Sequence, residues 1–418
     1  MPEATWIPTR AEALRRLDEF LPRAGRDYAA RRNHDLGPED RSNVSVLSPY
    51  LRHRLITEDE VVASALGRHG FRGAERFVQE VVWRTYWRGW LELRPGVWEA
   101  YRAEVDGLFG RLDREDDLRE RYERASEGRS GIGCLDAWAR ELVEVNYLHN
   151  HARMWFASIW IFTLRLPWAL GADFFLRHLH CGCPASNTLS WRWVAGLQTR
   201  GKTYLATAEN IARYTEGRFK PREPLSGHAE AIEGPEPPPT TPLGKPGRVG
   251  EGAAGLLLTE EDLGPETLGL EPGSIRGIAG VLATADRSPR PVSEAVIGFA
   301  SGALDDALTR ASATFEAPAA RLGDDWDGAV LAWAGEHALA QIITAEAPVG
   351  PARERLDALA PTLARAGIPL VRVRRPWDDT LWPLATSGYF PFKEKLPASL
   401  AKLGMLPEPA AKKRDRGC

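Results

Sequence analysis

The chain has 418 residues, is 43% apolar and 27% charged, and carries a net charge of −3. That length holds two or three domains with full cores, and the charge argues against a general nucleic-acid binder. No run of roughly 18 apolar residues stands in it, which argues against a membrane-spanning helix, and four cysteines are too few for a disulfide framework. The opening Met-Pro-Glu-Ala-Thr-Trp lacks the basic and apolar regions of a signal peptide, so a cytoplasmic, reducing setting is expected.

Charge and tryptophan are unevenly spread. Residues 1–220 hold 33 Lys and Arg against 30 Asp and Glu, leaving the rest of the chain acidic. Residues 151–220 hold nine basic and three acidic groups, a modest basic patch that also suits a solvated helix face. Ten of the 15 tryptophans lie between Trp83 and Trp193. Indole stacks well on flat rings, so this density suits either an aromatic ligand or a Trp-rich helical core.

Residues 9–220 read as helical. Thr9 caps a helix with Ala11, Leu14, Leu17, Phe20 and Leu21 at spacings of three and four. Thr57 and Glu60 form a capping box, and the helical pattern continues from Phe71 to Trp90. Residues 101–129 are a charged connection or helix. Further helices are predicted over Cys134–Asn146 and His149–Leu164, the latter apolar nearly all round and therefore central. From Pro221 to Gly273 the chain becomes rich in proline and glycine, reading as an extended linker in which Leu256–Leu258 is a short strand. After Gly273 strands are expected at Ala295–Ala300, Ala338–Thr344 and Ile368–Val373. They alternate with helices from Ala303 and over 351–366, which implies a small parallel sheet.

The helical half carries an ordered series of motifs: Ser45-Val-Leu-Ser-Pro-Tyr-Leu-Arg52, Glu80-Val-Val-Trp-Arg84, His149-Asn-His-Ala-Arg-Met154 and Asn187-Thr-Leu-Ser-Trp-Arg-Trp193. Together they resemble the FAD-binding domain of DNA photolyases and cryptochromes. Residues 353–396, with Trp377-Asp-Asp379 and Ser387-Gly-Tyr-Phe-Pro-Phe392, are more loosely similar to the end of that family's α/β antenna domain. The resemblance implies a mainly α protein. A helical FAD-binding domain would span 1–220, a Pro/Gly-rich linker 221–273, and a small α/β domain 274–418, the last a rearranged antenna-like domain placed C-terminally.

The same resemblance implies roles. Tyr28, Ser45, Leu47, Ser48 and Arg84 match the segment around the FAD pyrophosphate, for which hydroxyls, backbone N–H groups and a cation are suited. Asn150, Arg153, Cys181, Cys183 and Asn187 match positions lining the isoalloxazine, with Asn187 facing N5 and Arg153 able to offset negative charge on reduced flavin. An isolated Asn150 is also a common helix cap. Trp168 and Trp191 match two members of the family's electron-transfer chain, and Trp160, Trp155 or Trp98 could serve as the third. Glu80, Trp83, Asn150, His151, Met154 and Trp193 match the pocket that holds a pyrimidine dimer flipped from DNA.

Two departures stand out. Cys181-Gly-Cys183 replaces the family's Asp-Gly-Asp, which removes a buried carboxylate partner of Arg153, and His151 stands where many photolyases carry Arg. Cys-x-Cys beside His178 and His180 is poor spacing for a tetrahedral metal, so no metal is expected. The expected function is blue-light-driven, FAD-dependent repair of pyrimidine dimers in damaged DNA by a monomer. The alternatives are a cryptochrome-like photoreceptor with a protein partner, and a flavoprotein that works without light or a structural helical domain that has lost FAD. No antenna chromophore is specified.

Overall fold

The computed structural model describes residues 6–407. The helical half comprises α1 (Arg10–Phe20), α2 (Arg26–Arg31), α3 (Ser48–Arg52), α4 (Glu58–Glu92), α5 (Gly96–Leu112), α6 (Asp116–Ser126), α7 (Gly133–Val145), α8 (Asn150–Ser158), α9 (Trp168–His178), α10 (Pro184–Val194) and α11 (Ala208–Tyr214). Local chemistry sets the helix ends. The Thr9 side chain accepts from the Glu12 amide, Thr57 and Glu60 form a reciprocal capping box, and Asn146 ends α7 in the left-handed conformation. Gly70, at φ 64, breaks α4 into two segments, a kink that the continuous helical pattern from Thr57 to Trp90 does not show. Residues 101–129 resolve into the end of α5 and α6. After α8 the chain makes one wide π-helical turn, Ile159–Thr163, which carries Trp160.

The segment from 221 to 253 runs extended over the surface. It is pinned where the Ile232 amide donates to the Ala195 carbonyl and the Thr241 amide to the Leu93 carbonyl. The expected strand at Leu256–Leu258 is not a linker element. It lies in β1 (Ala254–Thr259), a fully buried strand at the middle of a five-stranded parallel sheet. The others are β2 (Ile275–Val281), β3 (Ala319–Arg321), β4 (Gln341–Ala345) and β5 (Leu370–Val373), in the order β3-β2-β1-β4-β5. The expected α/β pattern starting at 274 is corrected accordingly: the sheet takes in residues from 254. The strand expected at Ala295–Ala300 is also corrected, because it is the first part of α12 (Glu294–Phe315). That run continues as Ala303, Leu304, Ala307, Leu308 and Ala311, a helical face that is buried throughout. The remaining helices are α13 (Trp326–Glu336), α14 (Pro351–Arg365), α15 (Pro376–Leu381) and α16 (Tyr389–Lys402). Among the described residues no helix is long and apolar enough to cross a membrane.

The two halves share one core. In open parallel sheets the crevice lies beyond the strand C-termini where strand order reverses, here between β1 and β4. That edge is filled by the helical half. Straight after β1, Glu261 takes the Arg52 guanidinium with both oxygens at 2.6 Å, and Asp262 pairs with Arg54 and Arg375. Straight after β4, the Val349 amide and Arg353 hold Glu92. The motifs Trp377-Asp-Asp and Ser387-Gly-Tyr are docking contacts as well. Trp377 Nε1 donates to Thr85, Asp378 accepts from Arg54, and the Tyr86 hydroxyl donates to the Ser387 carbonyl. At Gly89 any Cβ would lie 2.7 Å from the Trp382 backbone, so α4 and the C-terminal half touch main chain to main chain.

Candidate functional site

The family-like motifs converge from α2, the 41–47 loop, α3, α4, α8 and the loop before α10. In that loop Val46 takes φ 53 and directs Leu47 and Ser48 into α3. Arg84 Nη2 donates to the Ser48 carbonyl at 3.3 Å. The Ser48 hydroxyl and Arg84 Nη1 are buried and have no protein partner. Unpartnered buried donors normally have an occupant, and a hydroxyl beside a guanidinium suits a phosphate oxygen. The residues present therefore fit the pyrophosphate of FAD. Leu47 and Tyr28 are buried; Tyr28 packs edge-on against Phe20 and Phe77, and burial pushes its phenol well up, keeping it neutral. Ser45 is half-buried in the loop.

Arg153 has been rewired around the missing carboxylate. Its Nε donates to the Leu148 carbonyl at 2.8 Å, its Nη2 reaches the Cys181 sulfur at 3.2 Å, and the guanidinium lies over the Tyr147 ring. Sulfur thus takes the position that resemblance assigns to an acid. Burial alone would raise the Cys181 thiol, but Arg153 and Arg84 outweigh it and lower it. The same balance brings Cys183 down to about 6, with Arg88, Arg52 and Arg84 overcoming burial. Asn187 is buried, and its Nδ2 donates to the Ala172 carbonyl at 2.7 Å, which fixes the amide and leaves Oδ1 as a free acceptor.

At the outer part of the cleft, Glu80 keeps 37% side-chain exposure and lies 3.5 Å from Arg32. Surrounding protein raises its carboxyl against the pull of Arg32. Trp83 is half-buried and stacks on Tyr389 of α16, with centroids 3.4 Å apart and planes at 11°. One face of that indole is therefore already covered. Met154 and Trp193 are half-buried, and Trp193 stacks on Tyr204. Asn150 is exposed in the first turn of α8, whose cap is His149, not Asn150. His151 is tied into local packing: its ring stacks on Trp155 and its Nδ1 meets the Asn33 carbonyl.

The tryptophans divide by contact. Trp191 meets Trp160 at 6.4 Å, and both rings press on Gly171, where a Cβ would lie 2.3 Å from Trp191. Trp160 in turn meets Tyr122, which reaches partial exposure. Trp168 contacts Tyr101, which contacts Trp98, and these three are buried. Trp155 stacks on Trp138.

Sequence reasoning missed Arg52, Arg88, Arg287 and Tyr389. One signal was available: Arg84 and Arg88 are like charges at i, i+4 in an otherwise buried helix, which is unfavourable unless anions lie between them. Among the described residues no group of three or more His, Cys, Asp and Glu could hold a metal ion.

Residues 77–217 match the family described as the FAD binding domain of DNA photolyase. Over those residues the helical half is similar to the FAD-binding domain of DNA photolyases. Among its relatives, the deoxyribodipyrimidine photo-lyase of Streptomyces griseus is 35% identical over 156 residues, 37% of this chain and 32% of that protein. The deoxyribodipyrimidine photo-lyase of Agrobacterium fabrum is 31% identical over 194 residues, 46% of this chain and 39% of that protein. The chain thus spans less than half the length of these photolyase relatives. A bacterial class III photolyase structure from Agrobacterium tumefaciens is 27% identical, with a TM-score of 0.42, covering 50% of this chain and 43% of that one.

Proposed function

We propose that this chain is an FAD-dependent, blue-light-driven photolyase that repairs pyrimidine dimers in DNA by electron transfer. The observation that carries the reading is the match of residues 77–217 to the FAD binding domain of DNA photolyase, with buried, unpartnered donors on Ser48 and Arg84 and an Arg153 that reaches the Cys181 sulfur among the matching positions. Reduced flavin bound there would supply the light-driven electron. Ser45, the Leu47 backbone, Ser48 and Arg84 bind phosphate oxygens, and Tyr28 closes that end. Arg153 offsets negative charge, and the Asn187 Oδ1, fixed by Ala172, accepts a proton-bearing nitrogen. Cys181 and Cys183 would line the isoalloxazine of a bound flavin. Trp191, with Trp160 and Tyr122 or with Trp168, provides the route by which electrons refill the site. Glu80, Trp83, Met154 and Trp193 receive the flipped dimer, with Asn150 and His151 towards the DNA strand.

A cryptochrome-like photoreceptor is the second reading. It is favoured by the Tyr389 ring on Trp83 and by the packing of His151 into the protein, both of which narrow the space for a lesion. The deciding assay is a dimer-containing oligonucleotide under blue light with anaerobically reduced, FAD-loaded protein. Repair that is lost in Glu80→Ala and Trp83→Ala supports the first reading. Absence of repair from fully loaded, reduced protein refutes it.

A further inference from the structure

The loop before α10 places two thiols one residue apart in a buried arginine cage. Cys181 and Cys183 are 3% and 2% exposed, and Arg84 acts on both. Arg153 bonds the first sulfur, and Arg52 and Arg88 flank the second. A fifth guanidinium comes from the other half of the molecule: Arg287, 2% exposed, with its Nη1 3.3 Å from the point where a Cβ on Gly182 would stand. None of the three Arg287 nitrogens has a hydrogen-bond partner, and neither does Arg88 Nε or Arg84 Nη1. The neighbouring carboxylates are already engaged. Glu261 is held by Arg52, Glu58 by Arg54 and Arg88, and Glu260 by the Ala283 amide and Thr284. A buried guanidinium without a counter-charge is costly; Glu260 and Glu261 supply part of it to Arg287, and the Cys183 sulfur adds to them.

We infer that Cys181 and Cys183 form a reversible redox pair that closes to an intraloop disulfide and exchanges two electrons with the flavin. Gly182 gives the backbone freedom that so short a ring needs. The balance is simple. The disulfide takes two electrons and opens to one thiol and one thiolate; reduced flavin gives up those two electrons, and its hydride's worth of proton goes to the thiol. Because the cage stabilises thiolate, it stabilises the reduced pair and makes the disulfide oxidising. The pair therefore stays reduced under mild conditions, and once oxidised it drains reduced flavin to the oxidised form. This flavin exchange rests on the FAD reading above; disulfide formation does not.

The test uses the full chain in reduced and oxidised glutathione mixtures, quenched with acid and alkylated. Trypsin releases His178–Arg192, which contains both cysteines and no other. The expected result is a bridged, unalkylated peptide in excess oxidised glutathione and a doubly alkylated one in excess reduced glutathione. In Arg287→Gln the pair becomes half-oxidised at a glutathione ratio about tenfold more reducing, as loss of thiolate stabilisation requires. In anaerobic flavin-loaded protein, photoreduced and then mixed with the oxidised pair in the dark, the bridge opens as the oxidised-flavin absorption returns. Double alkylation in every mixture overturns the pair, and so does a glutathione adduct on one cysteine without a bridge. A bridge that persists beside reduced flavin overturns the exchange. Protein that binds no flavin overturns the FAD reading and the exchange together, while the glutathione titration still decides the pair.

Discussion

Glu261→Gln should be among the most damaging single changes in the molecule, because the residue anchors the arginine that holds the cysteine loop. In the wild-type protein Arg52 and Glu261 meet through two 2.6 Å bonds at 1% and 4% exposure. Arg52 Nε also holds the Gly182 carbonyl at 2.8 Å, so the pair ties β1 of one half to α3 and the cysteine loop of the other. A neutral amide accepts through one oxygen only and leaves a buried guanidinium without its counter-charge. Breaking a buried pair in this way costs about 3–5 kcal/mol, a large share of the roughly 5–15 kcal/mol that holds a typical domain folded. The double variant Arg52→Met/Glu261→Leu removes both charges. It should recover most of the loss, short of about 1 kcal/mol for the missing bond to Gly182. Urea unfolding followed by tryptophan fluorescence measures each difference. If Glu261→Gln unfolds within about 1 kcal/mol of wild type, the pair is not the clamp between the halves, and the argument from buried charge fails.

Two further outcomes are expected. Trp160→Phe should slow light-driven flavin reduction more than Trp168→Phe does, because Trp160 touches both Trp191 and the partly exposed Tyr122; equal rates would remove Trp160 from the route. Acid should destabilise the fold early. Burial lowers His149 to about 4 and His180 to about 3, so below the ordinary value near 6.5 the unfolded chain takes up protons that the folded one refuses. At pH 5 each histidine removes about 2 kcal/mol at most. Melting temperature should therefore fall steadily from pH 6.5 to pH 4, and His180→Gln should flatten that fall; an unchanged slope contradicts the assignment.

The parts of this molecule legible in its sequence were those whose signals are local. Thr9 and the Thr57–Glu60 box mark helix starts by themselves, and the ordered motifs from Ser45 to Trp193 mark segments that meet at the Arg84–Ser48 and Arg153–Cys181 contacts. The C-terminal half was harder to read for physical reasons. β1 is six residues set between glycine-rich stretches, and its strand identity comes from pairing with β2 and β4, not from its own pattern. Ala295–Ala300 is apolar enough for a strand, and only the continuation of its face to Ala311 makes it helix. The acidic triplet Glu260–Asp262 looks solvated in a proline- and glycine-rich context. It is buried because Arg52, Arg54 and Arg375 reach it from more than a hundred residues away. Tyr389 on Trp83 belongs to the same class of long-range contact.

The central claim is that the cleft around Ser48, Arg84 and Arg153 holds FAD, and the flavin content of the purified chain tests it most directly. The account predicts about one FAD per chain in the absorption spectrum after saturation and gel filtration, with Arg84→Ala and Arg153→Ala losing most of it while keeping the wild-type far-ultraviolet circular dichroism. A folded wild-type chain that retains no flavin would contradict it.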